Sequence, residues 1–169
     1  VESRDETIDQ VRAIGLVYDV ADAAQDLNAI PLEDYLEDLV AHLRMAEHRT
    51  GFRIWFHPST EIGSRIEATV NLGLMIIEIV RIAKLSLTDD ANTITISESL
   101  SGDSSVVFEI SYGGDPIPAE IDPESSSATV MGLLPAFVSR LHVELTVDRS
   151  QLNTWSLRLP LHVLTRSDR

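Results

Sequence analysis

The sequence contains no cysteine, which removes disulfides, thiolate metal sites and cysteine nucleophiles from consideration together. Basic residues are scarce and scattered. Thirteen Lys and Arg stand against 27 Asp and Glu, for a formal charge of −14. Nucleic-acid binding draws most of its affinity from clustered Lys and Arg on phosphates, so no nucleic-acid partner is expected. The acidity serves solubility, with a basic partner surface as the sharper alternative. Long apolar runs are also missing. The nearest candidate, Val70 to Val80, is broken by Asn71 and Glu78 and falls short of the roughly 18 residues a bilayer span needs. No basic, apolar, small-residue leader opens the chain, so neither membrane nor secretion is expected and a cytoplasmic location is.

What remains is 44% hydrophobic and 24% charged over 169 residues, enough for one ordinary domain plus an extra helix or hairpin. From about Glu6 to Asp26, Ile8, Val11, Ile14, Val17, Val20, Ala21 and Ala24 recur at helical steps. Leu16 and Ile14 widen that stripe beyond one contact, which makes the helix a candidate for a dimer bundle. A second helix is predicted from about Pro31 to Glu47, with Pro31 in its first turn and Glu33 and Asp34 complementing the dipole. Its apolar stripe is Leu32, Tyr35, Leu36, Leu39, Val40 and Leu43. Phe52, Ile54 and Phe56 alternate as a short strand that Pro58 ends.

Residues Ser64 to Leu87 are apolar on nearly every side, the pattern of a central buried helix. Thr93 to Ser99 and Ser105 to Ser111 alternate as a hairpin with Gly102 at the bend. Tyr112 to Ser127 is rich in Gly, Pro and Ser and reads as a long loop. A weaker helix over Thr129 to Leu141 carries Gly132 and Pro135, which allows a start only near Leu134. Val143 to Asp148 and Thr154 to Leu161 alternate again. This order predicts an α+β fold with helices on one face of a mixed or mainly antiparallel sheet.

Two segments carry a family resemblance. Arg12-Ala13-Ile14-Gly15-Leu16-Val17-Tyr18-Asp19, followed by Ile30-Pro31-Leu32-Glu33-Asp34-Tyr35-Leu36-Glu37-Asp38-Leu39, resembles the HWE-related bacterial sensor histidine kinases. In that family an arginine-alanine-leucine-valine-histidine-glutamate helix ends the dimerisation hairpin, and an acidic tyrosine-leucine helix opens the ATPase domain; Tyr18 takes the place of the histidine. The resemblance spans nearly the whole chain. It implies a Bergerat-type histidine-kinase-like ATPase sandwich, divided into a dimerisation helix at 1–29 and an ATPase domain at 30–169.

The resemblance also implies where nucleotide residues belong, and this sequence departs from them. The family's central helix supplies a magnesium-holding asparagine. Glu78 and Ala83 stay in register here, but Ile82 stands at the asparagine position and has no oxygen to offer a hard cation. The adenine-reading aspartate falls on Gly113 within Tyr112-Gly113-Gly114-Asp115-Pro116, phased by Ile117-Pro118 and Asp122-Pro123-Glu124. Asp115 is two positions away, roughly 6 to 7 Å along extended backbone. In the glycine-rich segment Ser125 to Gly132, Val130 replaces a family glycine and only Gly132 remains. The expectation is a degenerate member with no catalytic residue, no metal and no cofactor.

The five histidines, His42, His48, His57, His142 and His162, include none in a phosphoacceptor setting and no pair spaced for zinc. Ser125, Ser126 and Ser127 lack a nucleophile elbow and read as loop. Glu33, Asp34, Glu37 and Asp38 could attract a cation, but they alternate with the apolar stripe and read as its solvated face. By resemblance the chain would dimerise through its first helix and dock the receiver domain of a response regulator, as a scaffold or histidine phosphotransferase. The alternatives are a divergent but active sensor kinase and a partner-switching regulator on the same fold.

Overall fold

A computed structural model describes residues 4–46, 51–59, 61–102, 104–118, 121 and 132–165, with all their side chains except those of 4–6, 9 and 46. The chain runs α1 (Arg4–Ala24), β1 (Ile30–Pro31), α2 (Leu32–Ala46), β2 (Arg53–His57), β3 (Gly63–Ser64) and α3 (Ile66–Lys84). It continues through β4 (Thr93–Ser101), β5 (Ser105–Tyr112), α4 (Leu134–Arg140), β6 (Glu144–Asp148), β7 (Asn153–Pro160) and α5 (Leu161–Thr165).

The main sheet has the order β2-β4-β5-β7-β6, with β2 parallel to β4 and every other pair antiparallel. Alternation along each strand builds its buried face in transverse rows. One row reads Phe56, Ile96, Ile110, Trp155 and Val147 from edge to edge, and the next reads Ile54, Ile94, Tyr112 and Asn153. Trp155 is fully buried and donates its indole N–H to the Tyr112 hydroxyl at 2.9 Å, which satisfies the one polar atom of the largest core side chain. The opposite face presents Thr95, Ser97, Ser111 and Ser156, half-buried hydroxyls that need no cover.

Against the buried face lies α3, where Ala68, Leu72, Met75, Ile76, Ile79, Val80, Ile82 and Ala83 are all buried. A helix apolar on nearly every side must be enclosed, and α1, α2, α4 and α5 all contact it. The expected stripe of α2 is buried throughout. Its Tyr35 reaches between helices, with Gly73 of α3 leaving room for the phenol and the hydroxyl donating to the Ala13 carbonyl of α1 at 3.4 Å.

Several local expectations change. Pro31 does not open α2 but forms β1, which pairs with β3 as a two-stranded ribbon, while the Leu32 N–H donates to the Ile62 carbonyl at 2.9 Å. Such short bridges leave no alternation to read. The buried face of α1 is Ala13, Leu16, Val17, Val20 and Ala21, which packs on α3 and α2. Ile8, Val11, Ile14 and Tyr18 face outward, each at least 40% exposed. The weak helix starts at Leu134, with Pro135 in its first turn where its missing N–H costs nothing. Among the described residues, no helix is long and apolar enough to cross a membrane.

Candidate functional site

The C-terminal half of α3, the loop after β5 and the turn into α4 converge, and they hold the positions at which the resemblance places nucleotide boxes. Glu78 is 4% exposed. Arg81, one turn on, donates to its Oε2 from Nε at 3.1 Å and Nη2 at 3.0 Å, an ion pair on the same helix. Gln10 of α1 donates Nε2–H to Oε1 at 3.2 Å. A buried carboxylate costs several kcal/mol unless paired, and these donors supply that pairing. Both oxygens of Glu78 are therefore engaged by the protein's own side chains.

Ile82, in the same turn of α3, is completely buried, so its side chain is a core element facing other hydrocarbon. Gly132 packs directly on the ion pair. A Cβ there would come within 2.8 Å of Glu78 Oε2 and 3.4 Å of Arg81 Nη2, and its φ of 55° is left-handed. Glycine is thus required by both space and backbone. Val130, Asp122, Pro123, Glu124 and Ser125 to Ser127 lie outside the described residues.

The loop after β5 is held down at two points. Gly114 has a φ of 97° and lies so close to the Ser86 carbonyl that any Cβ would collide with it, while the Asp115 N–H donates to that same carbonyl at 2.7 Å. Asn153, buried at the start of β7, donates Nδ2–H to the Asp115 carbonyl at 2.9 Å and accepts the Ile117 N–H at 3.0 Å. The backbone of the expected adenine-reading box is thereby fastened to the end of α3. The Asp115 residue is exposed, and Gly113 is half-buried with Ala91 beside it.

The structure brings Glu78 and Gly132 into contact, with Ile82 on the same helix and Asp115 on the loop tied to that helix's end. Magnesium needs oxygen ligands, and Ile82, which the resemblance puts at the asparagine position, offers hydrocarbon. Among the described residues, no three His, Asp or Glu side chains stand close enough to hold one metal ion. The residues at these positions do not fit a magnesium-triphosphate group.

One chemically loaded residue escaped the sequence reading. Glu98 of β4 points to the inner face in a row with Phe108, Leu157 and Leu145, is 3% exposed, and among the described residues has no hydrogen-bond partner for either carboxylate oxygen. Burial, reinforced by the charge of Glu33, pushes its carboxyl up to about 7. The signal was present in the alternation: Ile94 and Ile96 face inward, so the next residue in phase is Glu98.

No protein-family description matches this chain, and no curated protein matches it in sequence. Solved structures do match. The fold is that of histidine-kinase catalytic domains, α+β with helices on one face of a mixed sheet. The chain superimposes on the histidine kinase domain of a blue-light activated histidine kinase from Erythrobacter litoralis EL346 with a TM-score of 0.81 and 20% identity, over 98% of this chain and 81% of that one. A longer structure of that kinase gives 0.75 and 20% identity, over 90% of this chain and 47% of that one. The catalytic domain of histidine kinase ThkA gives 0.59 and 12% identity, over 77% and 93%.

Proposed function

We propose that the chain is a two-component or phosphorelay signalling module, a degenerate relative of the HWE-type kinases that has lost productive ATP binding. It works as a scaffold or a histidine phosphotransferase and docks the receiver domain of a response regulator. The observation that carries this reading is Ile82: the residue that the resemblance assigns to the metal-holding position is a fully buried hydrocarbon in the core. The engagement of Glu78 by Arg81 and Gln10 supports it, because the neighbouring carboxylate is already committed within the protein.

The domain division at 29 and 30 belongs to the same proposal, with α1 as the second helix of a dimerisation hairpin. Ile8, Val11 and Tyr18, with Gly15 between them, recur at alternating three- and four-residue steps on the outer face of α1, the spacing of a helix-pairing seam. A homodimer would bury that stripe. In the phosphotransferase form, the phosphorylated histidine would come from a hairpin helix outside residues 1–169.

Isothermal titration with magnesium-ATP tests the core of the reading. No heat of binding is expected. A dissociation constant in the micromolar range would overturn it in favour of a divergent active kinase. Transfer of acid-labile phosphate between receiver domains separates the phosphotransferase from the pure scaffold.

A further inference from the structure

In a chain of charge −14 an acid-free stretch of surface is unusual, and one lies at the β2 edge of the main sheet. On the face away from α3, β2 presents Arg53, Trp55 and His57, all exposed, and β4 presents Thr93, Thr95 and Ser97 beside them. None of these six is acidic. Among the described residues, the first carboxylate across that face is Glu109 of β5, which pairs with Ser97. The turn before β4 carries Asp89 and Asp90 at the Arg53 end, and the first acid toward the start of α2 in phase with Arg44 is Glu37, two turns back and about 10 Å along the helix.

Arg44 of α2 is exposed and held over this corner. Its Nε donates to the Ile54 carbonyl at 2.6 Å, and its guanidinium carbon lies 5.4 Å from the centroid of the Trp55 ring. One donor is thereby anchored and the plane of the group is set by stacking. Among the described residues its two Nη groups make no hydrogen bond, and neither Arg44 nor Arg53 is in an ion pair. Trp55 is 50% exposed. A single exposed apolar residue needs no explanation. An indole with a pre-positioned guanidinium above it, idle Nη donors and a second cation alongside has the make-up of a binding hot spot.

We propose that this corner docks an acidic segment of a partner protein. The Nη pair of Arg44 receives one carboxylate end-on, Arg53 attracts a second, and an apolar side chain of the segment covers the indole of Trp55. A second copy of this chain is a poorer occupant, because it brings another net charge of −14 toward the whole surface. A short segment meets chiefly the charges within a Debye length of about 8–10 Å, which here are basic. Nucleic acid carries the complementary charge but needs a longer row of cations than this corner holds. The inference goes beyond the signalling reading and does not depend on the state of the nucleotide positions.

The test is an NMR titration of the whole chain with a blocked peptide in which one Phe is flanked on each side by two Glu, followed through the indole N–H signals. The chain has two tryptophans, Trp55 at the corner and Trp155 in the core. The Trp55 signal should shift and saturate, while that of Trp155, bonded to Tyr112, should stay in place and report an intact fold. Affinity should fall about threefold between about 50 and about 200 mM salt. Arg53→Glu, at an exposed position, should weaken binding about tenfold. Arg44→Lys keeps the charge but loses the flat fork, and should weaken binding by a smaller factor. A Trp55 signal that does not move, that moves equally with the Lys counterpart of the peptide, or that keeps its affinity in Arg53→Glu would overturn the proposal. So would a dimer in sedimentation of the peptide-free chain that Arg53→Glu abolishes, since it would give the corner to a second copy.

Discussion

Glu98 sets a testable dependence of stability on pH. In the unfolded chain its carboxyl titrates near the ordinary value of 4.5, and in the fold near 7. Between those values the folded protein holds a proton that the unfolded chain has released. Stability therefore falls as pH rises from about 4.5, and the loss is complete above about 7. At about 1.36 kcal/mol per pH unit the full interval is worth about 3 kcal/mol, an upper bound because interior relaxation lowers it. Glu98→Gln keeps the shape and cannot ionise. Urea unfolding of both proteins should show near-equal stability at about pH 5, and an advantage of about 1–3 kcal/mol for the variant at about pH 8. The general repulsion of a −14 chain is nearly common to both and drops out of the difference. Parallel stability curves across this range would refute the assignment of an unpartnered buried carboxylate.

Four further substitutions probe the packing. Gly73→Ala places a methyl against the Tyr35 hydroxyl, so overpacking should outweigh the gain in helix propensity, for a net loss of about 1–2 kcal/mol by urea unfolding. Tyr35→Phe in that background should recover part of the loss. Trp155→Phe removes the 2.9 Å bond to Tyr112 and leaves a void, and should cost about 2–4 kcal/mol in the same assay. Ile82→Asn puts an amide into hydrocarbon and should cost about 3 kcal/mol or more, with calorimetry still showing no magnesium-ATP binding while Arg81 and Gln10 hold Glu78.

The strands and the two apolar helices were legible because their periods were strong. The rows through Ile96, Ile110 and Trp155 follow directly from alternation. The β1–β3 ribbon was not legible, since two-residue strands carry no period and Pro31 is equally at home opening a helix. On α1 the apolar stripe is wider than one contact needs, and packing against α3 and α2 decides that Leu16 and Val17 go in while Val11 and Tyr18 stay out. The positions that the resemblance assigns to the candidate site could be named from the sequence, but their contacts could not. Gln10 and Glu78 are 68 positions apart, and nothing local announces their bond. Glu98 was missed because a carboxylate in a strand is normally placed on the wet face, although its phase with Ile94 and Ile96 says otherwise.

On the proposed reading, the burial of α3 is what would let the fold persist without a nucleotide. In a domain that binds a ligand beside its central helix, polar side chains there must stay accessible, and the cavity forfeits packing. Here the corresponding turn holds Ile79, Val80, Ile82 and Ala83, all at most 1% exposed. Each large apolar side chain buried there contributes of the order of 1.5–3 kcal/mol. On the proposed reading, the same step would remove a ligand and strengthen the core, and stability would then resist a return to binding. Glu78 is the exception on that face, kept in the core by Arg81 and Gln10. Because Gln10 lies on α1, the carboxylate that the resemblance assigns to a nucleotide site instead fastens the first helix to the sheet domain.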